Sequence, residues 1–160
     1  MSNKIKHFFK RASNIIGLEK RPKTFSELFL QNEGKLSHKW DHYPDIYDRY
    51  CGHYRGKCPT ILEIGVNYGG TLDIWDEYFD GKADIYGVDI NPSCKKLERE
   101  NIKIEIGDQG SPEFWENFKR KYPAPDIIVD DGSHVPSHQI LTFEKLFRDW
   151  IFGGFELFED

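Results

Sequence analysis

The sequence predicts a doubly wound α/β domain with a parallel sheet in strand order 3-2-1-4-5, and three observations carry that prediction. From Thr60 onward, short apolar runs alternate with amphipathic stretches, the pattern of a parallel sheet covered by helices on both faces. The first run, Thr60-Ile61-Leu62-Glu63-Ile64, leads into a glycine-rich turn, Gly65-Val66-Asn67-Tyr68-Gly69-Gly70, and then a helix-like stretch. Each run also ends in an acid: Glu63, Asp89, Asp108, Asp130 with Asp131, and Glu159 with Asp160. Right-handed crossovers bring those ends to one edge of the sheet, where ligands bind in this architecture.

The elements follow in chain order. Residues 1–23 form a basic amphipathic arm, with Ile5, Phe8, Phe9, Ala12, Ile15 and Ile16 near helical spacing. Such an arm suits weak contact with an anionic membrane surface or a partner protein, or it is simply a solvated tail. Residues 24–59 read as a helical extension: a helix capped by Thr24 or Ser26 and ended by Gly34, then one starting at Pro44 with Ile46, Tyr47 and Tyr50 inward. The sheet domain occupies 60–160. Its strands are 60–64, 85–89, 102–106, 126–130 and 155–158. Its helices are 70–79, 93–99, 112–121 (Ser111 as cap, Pro112 in the first turn) and 136–149, the last with Ile140, Leu141, Phe143, Leu146 and Phe147 inward.

Composition narrows the class. The chain has 160 residues, 38% of them hydrophobic, enough for one globular core. Its net charge of −5 conceals +6 in residues 1–23 and −11 in the remainder. The acidic body argues against broad nucleic-acid binding. No apolar run is long enough to span a membrane and no signal peptide is evident. Cys51, Cys58 and Cys94 lack metal-ligand spacing and suit free thiols in the reducing cytoplasm.

The acids indicate the ligand. Gly65-x-x-x-Gly69-Gly70 departs from the G-x-G-x-x-G that seats a pyrophosphate. Glu63 just ahead of it repels phosphate and suits a cation. Asp89, at the end of the second strand, can take both hydroxyls of a ribose. S-adenosylmethionine, with its ammonium, sulfonium and ribose diol, meets these demands.

The stretches Leu62–Gly70, Tyr86-Gly87-Val88-Asp89 and Ile106-Gly107-Asp108-Gln109 resemble the class I S-adenosylmethionine-dependent methyltransferases of Rossmann-like fold. Asp126-Ile127-Ile128-Val129-Asp130-Asp131-Gly132-Ser133-His134, with Gly153–Asp160 and His42–Tyr47, resembles one branch of them. That branch is the metal-dependent sugar O-methyltransferases of macrocin and mycinamicin type, grouped with cephalosporin-hydroxylase-like and rhamnosyl O-methyltransferase proteins. The resemblance covers about residues 36–160. It implies that Glu63, Gly65, Asn67, Tyr68, Gly69 and Gly70 hold the methionine part of S-adenosylmethionine, Asp89 the ribose, and Asp108 with Gln109 the adenine, Asp130 standing with this group. It implies Asp131, Glu159 and Asp160 as metal ligands and His134 as the base.

The chemistry agrees with those roles. Carboxylate oxygens without Cys suit a hard cation such as Mg²⁺. Such an ion binds a vicinal sugar diol and acidifies its hydroxyl, and His134, three residues past Asp131, can take the proton. His138 is a weaker base candidate. The expected activity is O-methylation of a glycan or glycosylated natural product, and a homo-oligomer is compatible with the sequence. A hydroxylase-like oxidoreductase is the second reading, though the chain lacks a flavin, haem or two-His-one-carboxylate signature. A non-catalytic cofactor-binding domain is the third. Methyltransferases of this fold continue into strands six and seven, which are absent here, so a fragment or truncated member is expected.

Overall fold

In the computed structural model, described for residues 21–147 and for the backbone of 155–158, five parallel strands run in the order β3-β2-β1-β4-β5. They are β1 (Thr60–Ile64), β2 (Asp84–Asp89), β3 (Ile102–Ile106), β4 (Ile127–Asp130) and β5 (Phe155–Phe158). β1 is central, pairing Ile64 with Val88 on one side and with Asp130 on the other. β5 is the outer strand, with Phe158 opposite Asp130. The order and the strand positions match the sequence expectation.

Strand side chains alternate between two cores, as a period of two requires. Ile61, Ile85, Ile127 and Val129 face a core built with α1 (Phe25–Leu30), α2 (Tyr43–Cys51) and α3 (Gly70–Tyr78). Leu62, Ile64, Val88 and Ile128 face the other, closed by Trp115 and Phe118 of α4 (Pro112–Lys121) and by Leu146. Trp75 and Trp115 are wholly buried, one in each core. Burying a large apolar side chain contributes about 1.5–3 kcal/mol, so these anchor the helices to opposite faces. The expected N-terminal extension, 24–59, is thus part of the first core: Phe25 packs against Trp75 with ring centroids 4.4 Å apart.

The helix starts follow their local chemistry. Thr24 caps α1 in a capping box with Glu27. Ser111 accepts the Phe114 N–H and Pro112 opens α4. Four expectations need correction. α1 ends at Leu30 with Gln31 as its cap, not at Gly34, because Asn32 turns the chain by accepting the Gly34 N–H and donating to the Lys35 carbonyl. On α2 Tyr47 is inward, but Tyr50 lies at the surface.

Residues 92–97 form a 3₁₀ turn rather than an α-helix. The Cys94 N–H bonds back to Asn91, and Lys95 is held by the Ile104 carbonyl, which leaves no length for α turns. The last helix, α5 (Pro136–Thr142), passes into a π-helical turn over Phe143–Phe147. The inward face differs from the expected one: Thr142 and Leu146 are buried, whereas Ile140, within α5, and Phe143, at the start of the π turn, are exposed. Residues 1–20 of the arm 1–23, residues 148–149 of the predicted helix, the turn 153–154, and Glu159 and Asp160 lie outside the described residues. No helix among the described residues is long and apolar enough to cross a membrane.

Candidate active site

The carboxyl ends of the strands open into a cleft of about 800 Å³, lined by Lys39, Trp40, Gly65, Val66, Asn67, Thr71, Asp89, Asp131 and His134 among others. A second cavity of about 300 Å³, with Ile64, Val88, Ile90, Asp108 and His138 in its wall, shares Gly65, Asp89 and Gly132 with the first. The two form one trough across the switch point between β1 and its neighbours, where this architecture binds ligands.

The glycines of the β1 turn have distinct tasks. Gly65 has φ +90°, and a Cβ there would lie 2.0 Å from the Asp131 carbonyl oxygen. Glycine therefore lets the loops after β1 and β4 touch, which delivers Asp131 to the trough. Gly70 was expected to admit a ligand; instead its missing Cβ makes room for the carbonyl oxygens of Lys35 and Leu36. That contact, with a 2.7 Å hydrogen bond between Ser37 and Thr71 and the Lys35–Asp73 ion pair, lays a strap of residues 35–40 over the start of α3. Tyr68 is 60% exposed and lies outside the larger cleft.

Asp89 is held by two backbone donors, Asn67 N–H to Oδ2 (2.9 Å) and Asn91 N–H to Oδ1 (2.8 Å). Its carboxylate is fixed in the wall common to both cavities, with lone pairs to spare for a diol. Asp108 accepts the Gly110 N–H at the edge of the smaller cavity.

Gln109 and Asp130 are committed to each other. The Gln109 amide donates to both Asp130 oxygens (2.9 and 2.7 Å) and to Thr142, and its carbonyl accepts the Ser133 N–H. Asp130 is wholly buried, and burial raises its pKa against the lowering effect of Gln109. This network shapes the loop 130–134; every polar atom of these two buried side chains already has a partner within the protein.

Glu63 is 1% exposed, and burial pushes its pKa up to about 7. Lys39 counteracts that, Asp131 adds to it, and a Thr71 hydrogen bond opposes it. Its Oε2 has no hydrogen-bond partner among the described residues. Lys39, whose side chain is 1% exposed, places its ammonium 3.8 Å from Glu63 Oε1 and 2.7 Å from Asp131 Oδ2. On the other side of that carboxylate, His134 Nε2 lies 3.5 Å from Asp131 Oδ1. His134 takes a left-handed φ of +54° and stays half-exposed. His138, the weaker base candidate, is bonded to Ser133 Oγ at 3.0 Å.

Sequence reasoning missed Lys39. It lies in an aromatic and polar stretch with no motif, and only its long-range partners reveal it. Of the expected metal ligands, Asp131 alone lies among the described residues, where no cluster of three or more His, Cys, Asp or Glu capable of holding a metal is found. The one described donor is of the kind that suits a hard cation. Asp131 presents oxygen to the cleft, and a positive charge, the Lys39 ammonium, already sits on it. The orphaned oxygen of Glu63 fits an ammonium-bearing cofactor equally well.

No protein-family model matches the chain. It is 36% identical over 121 residues to the mycinamicin VI 2''-O-methyltransferase of Micromonospora griseorubida, covering 71% of this chain and 30% of that protein. It is 33% identical over 135 residues to the demethylmacrocin O-methyltransferase of Streptomyces fradiae, covering 78% and 34%. Among solved structures it superposes on the MycE methyltransferase from the mycinamycin biosynthetic pathway in complex with Mg and SAH. There the TM-score is 0.74 at 33% identity, over 88% of this chain and 38% of that one. The chain spans about a third of the length of these curated relatives. Both are O-methyltransferases, so the oxidoreductase reading finds no support among them.

Proposed function

We propose that this chain, a homologue of the sugar O-methyltransferases of mycinamicin and macrocin type with their Rossmann-like fold, is the cofactor-binding part of an enzyme that methylates a sugar hydroxyl. The methyl donor is S-adenosylmethionine, the metal is Mg²⁺, and the acceptor is a glycosylated small molecule. A single observation carries this reading: one trough at the carboxyl edge of the sheet joins Asp89, Asp131 and His134, with Glu63 behind Lys39.

Each residue has a task in that reaction. Asp89, oriented by two backbone donors, accepts the ribose diol. Ile64, Val88 and Ile90 offer apolar wall to the adenine, with Asp108 at the rim for its polar edge. Glu63 and the turn residues Gly65, Val66 and Asn67 receive the methionine part. Asp131, with Glu159 and Asp160, would hold the divalent ion, whose chemistry would be to make a sugar hydroxyl more acidic. His134 takes the proton from that hydroxyl, and Asp131 beside it orients the ring. The sugar oxygen then bonds to the methyl carbon as the carbon–sulfur bond breaks, leaving a neutral thioether. No enzyme nucleophile is needed, in keeping with the free and mostly buried cysteines, which also suit the cytoplasm.

Calorimetric titration of the full chain with S-adenosylhomocysteine tests the reading. We expect saturable binding in the wild type and a loss of affinity of at least about tenfold in Asp89→Ala, equal to the about 1.4 kcal/mol expected of one hydrogen-bonded charged group. A wild-type protein that gives no binding heat would remove the cofactor and the reaction together.

A further inference from the structure

Lys39 has no part in the reaction as just described, yet it occupies the centre of the site. It lines the cleft, whereas Glu63 does not. Its buried ammonium thus bridges Asp131, in the cleft wall, and Glu63, the carboxylate proposed to receive the cofactor's amino group. The strap that carries it is tied down upstream by Ser37–Thr71, Lys35–Asp73 and the close approach to Gly70. The backbone is anchored there, while the ammonium rides on a flexible four-carbon stem.

Asp131 in the cleft wall and the buried Glu63 repel each other when both are ionised, and burying a carboxylate without a cation is costly. Lys39 supplies the positive charge, 2.7 Å from Asp131 and 3.8 Å from Glu63. An ammonium-bearing cofactor and a divalent cation would bring positive charge to the same two carboxylates and so meet the need that Lys39 meets in their absence.

We propose that Lys39 is a positioning residue that acts as a resident counter-ion. It holds Glu63 and Asp131 in place in the empty site and releases both when the cofactor's ammonium and the divalent cation arrive. The inference rests on the cofactor reading given above. Its consequence is quantitative: apparent ligand affinity is reduced by the fraction of molecules in which the lysine is away. With such a minor state populated at about 0.1–10%, removing the charge raises affinity by about tenfold or more. Lys39→Met keeps the apolar stem and deletes the charge; Lys39→Arg keeps the charge.

The test is titration of the full chain, as wild type, Lys39→Met and Lys39→Arg, with MgCl₂ and with S-adenosylhomocysteine, together with the unfolding midpoint of each ligand-free protein. Lys39→Met is expected to unfold at a lower temperature without ligand, yet to bind Mg²⁺ and S-adenosylhomocysteine about tenfold or more tightly. Lys39→Arg is expected to stay near the wild type. Equal or weaker binding by Lys39→Met would overturn the inference while leaving the cofactor reading intact, provided the wild type binds; a wild type that does not bind removes both. A readout that needs no variant is acetylation of wild-type Lys39 by an N-hydroxysuccinimide ester, followed by peptide mass. The modification is expected to be slow in the ligand-free protein and faster at saturation with both ligands, and no acceleration counts against release.

Discussion

Replacing Glu63 by Gln should stabilise the ligand-free protein while damaging its ligand site. Burial pushes the Glu63 carboxyl from its ordinary 4.5 up to about 7 in the folded chain. A group with a raised folded pKa contributes stability that is fully present below the unfolded pKa and lost as pH rises through the folded one. The window for Glu63 is therefore about pH 4.5 to 7. At about 1.4 kcal/mol per pKa unit, the ionised side chain costs the fold up to about 3 kcal/mol at pH 8 and about 1 kcal/mol at pH 5. Gln has nearly the same shape and does not ionise, and its amide can still meet Thr71. In a domain of this size about 3 kcal/mol corresponds to about 6–12 °C in the unfolding midpoint. The assay is thermal unfolding of the ligand-free wild type and Glu63→Gln at pH 5 and pH 8, with calorimetry against S-adenosylhomocysteine in parallel. We expect the variant to unfold later at pH 8, the gap to narrow at pH 5, and binding to weaken at least about tenfold as the charged partner of the ammonium is lost. A variant no more stable than the wild type at pH 8, or a gap that does not change with pH, would refute the reasoning about Glu63.

Three further outcomes follow from the geometry. Gly65→Ala combines a left-handed φ with overlap on the Asp131 carbonyl, and should cost about 2–4 kcal/mol in denaturant unfolding and weaken Mg²⁺ binding as Asp131 is displaced. Gln109→Ala leaves the buried Asp130 without its main donor; about 3 kcal/mol of stability should be lost, and Asp130→Asn in the same background should restore part of it. His134→Gln should leave S-adenosylhomocysteine binding within about twofold of the wild type while lowering methyl transfer by about 10²–10⁴, as expected of a lost general base. Loss of binding in that variant would instead make His134 a structural residue of the loop.

Much of this was legible along the chain because the signals are local. Short apolar runs such as Thr60–Ile64 and Ile127–Asp130 mark buried strands, alternation in Ile102–Ile106 marks a strand with one face to the core, and Thr24, Ser111 and Pro112 announce helix starts within three residues. The conversion of α5 to a π turn was not legible, since its phase is set by what Leu146 packs against rather than by its own spacing.

The site divides in the same way. The acidic strand ends, the glycine turn and Asp131 with His134 were readable, because a parallel sheet carries every strand terminus to one edge whatever the side chains then do. What each acid does there depended on partners far along the sequence. Gln109 turned out to serve Asp130, twenty-one residues away. Gly70 admits the strap rather than a ligand. Lys39 meets Asp131 across ninety-two residues. By itself the sequence determined the alternation of strands and helices and the acidic edge, since those follow from periodicity and chain direction, while the strand order is that of the family it resembles. Only the tertiary structure decided which carboxylates are buried, which are saturated and which carry a cation, because desolvation and ion pairing act between groups that folding alone brings together.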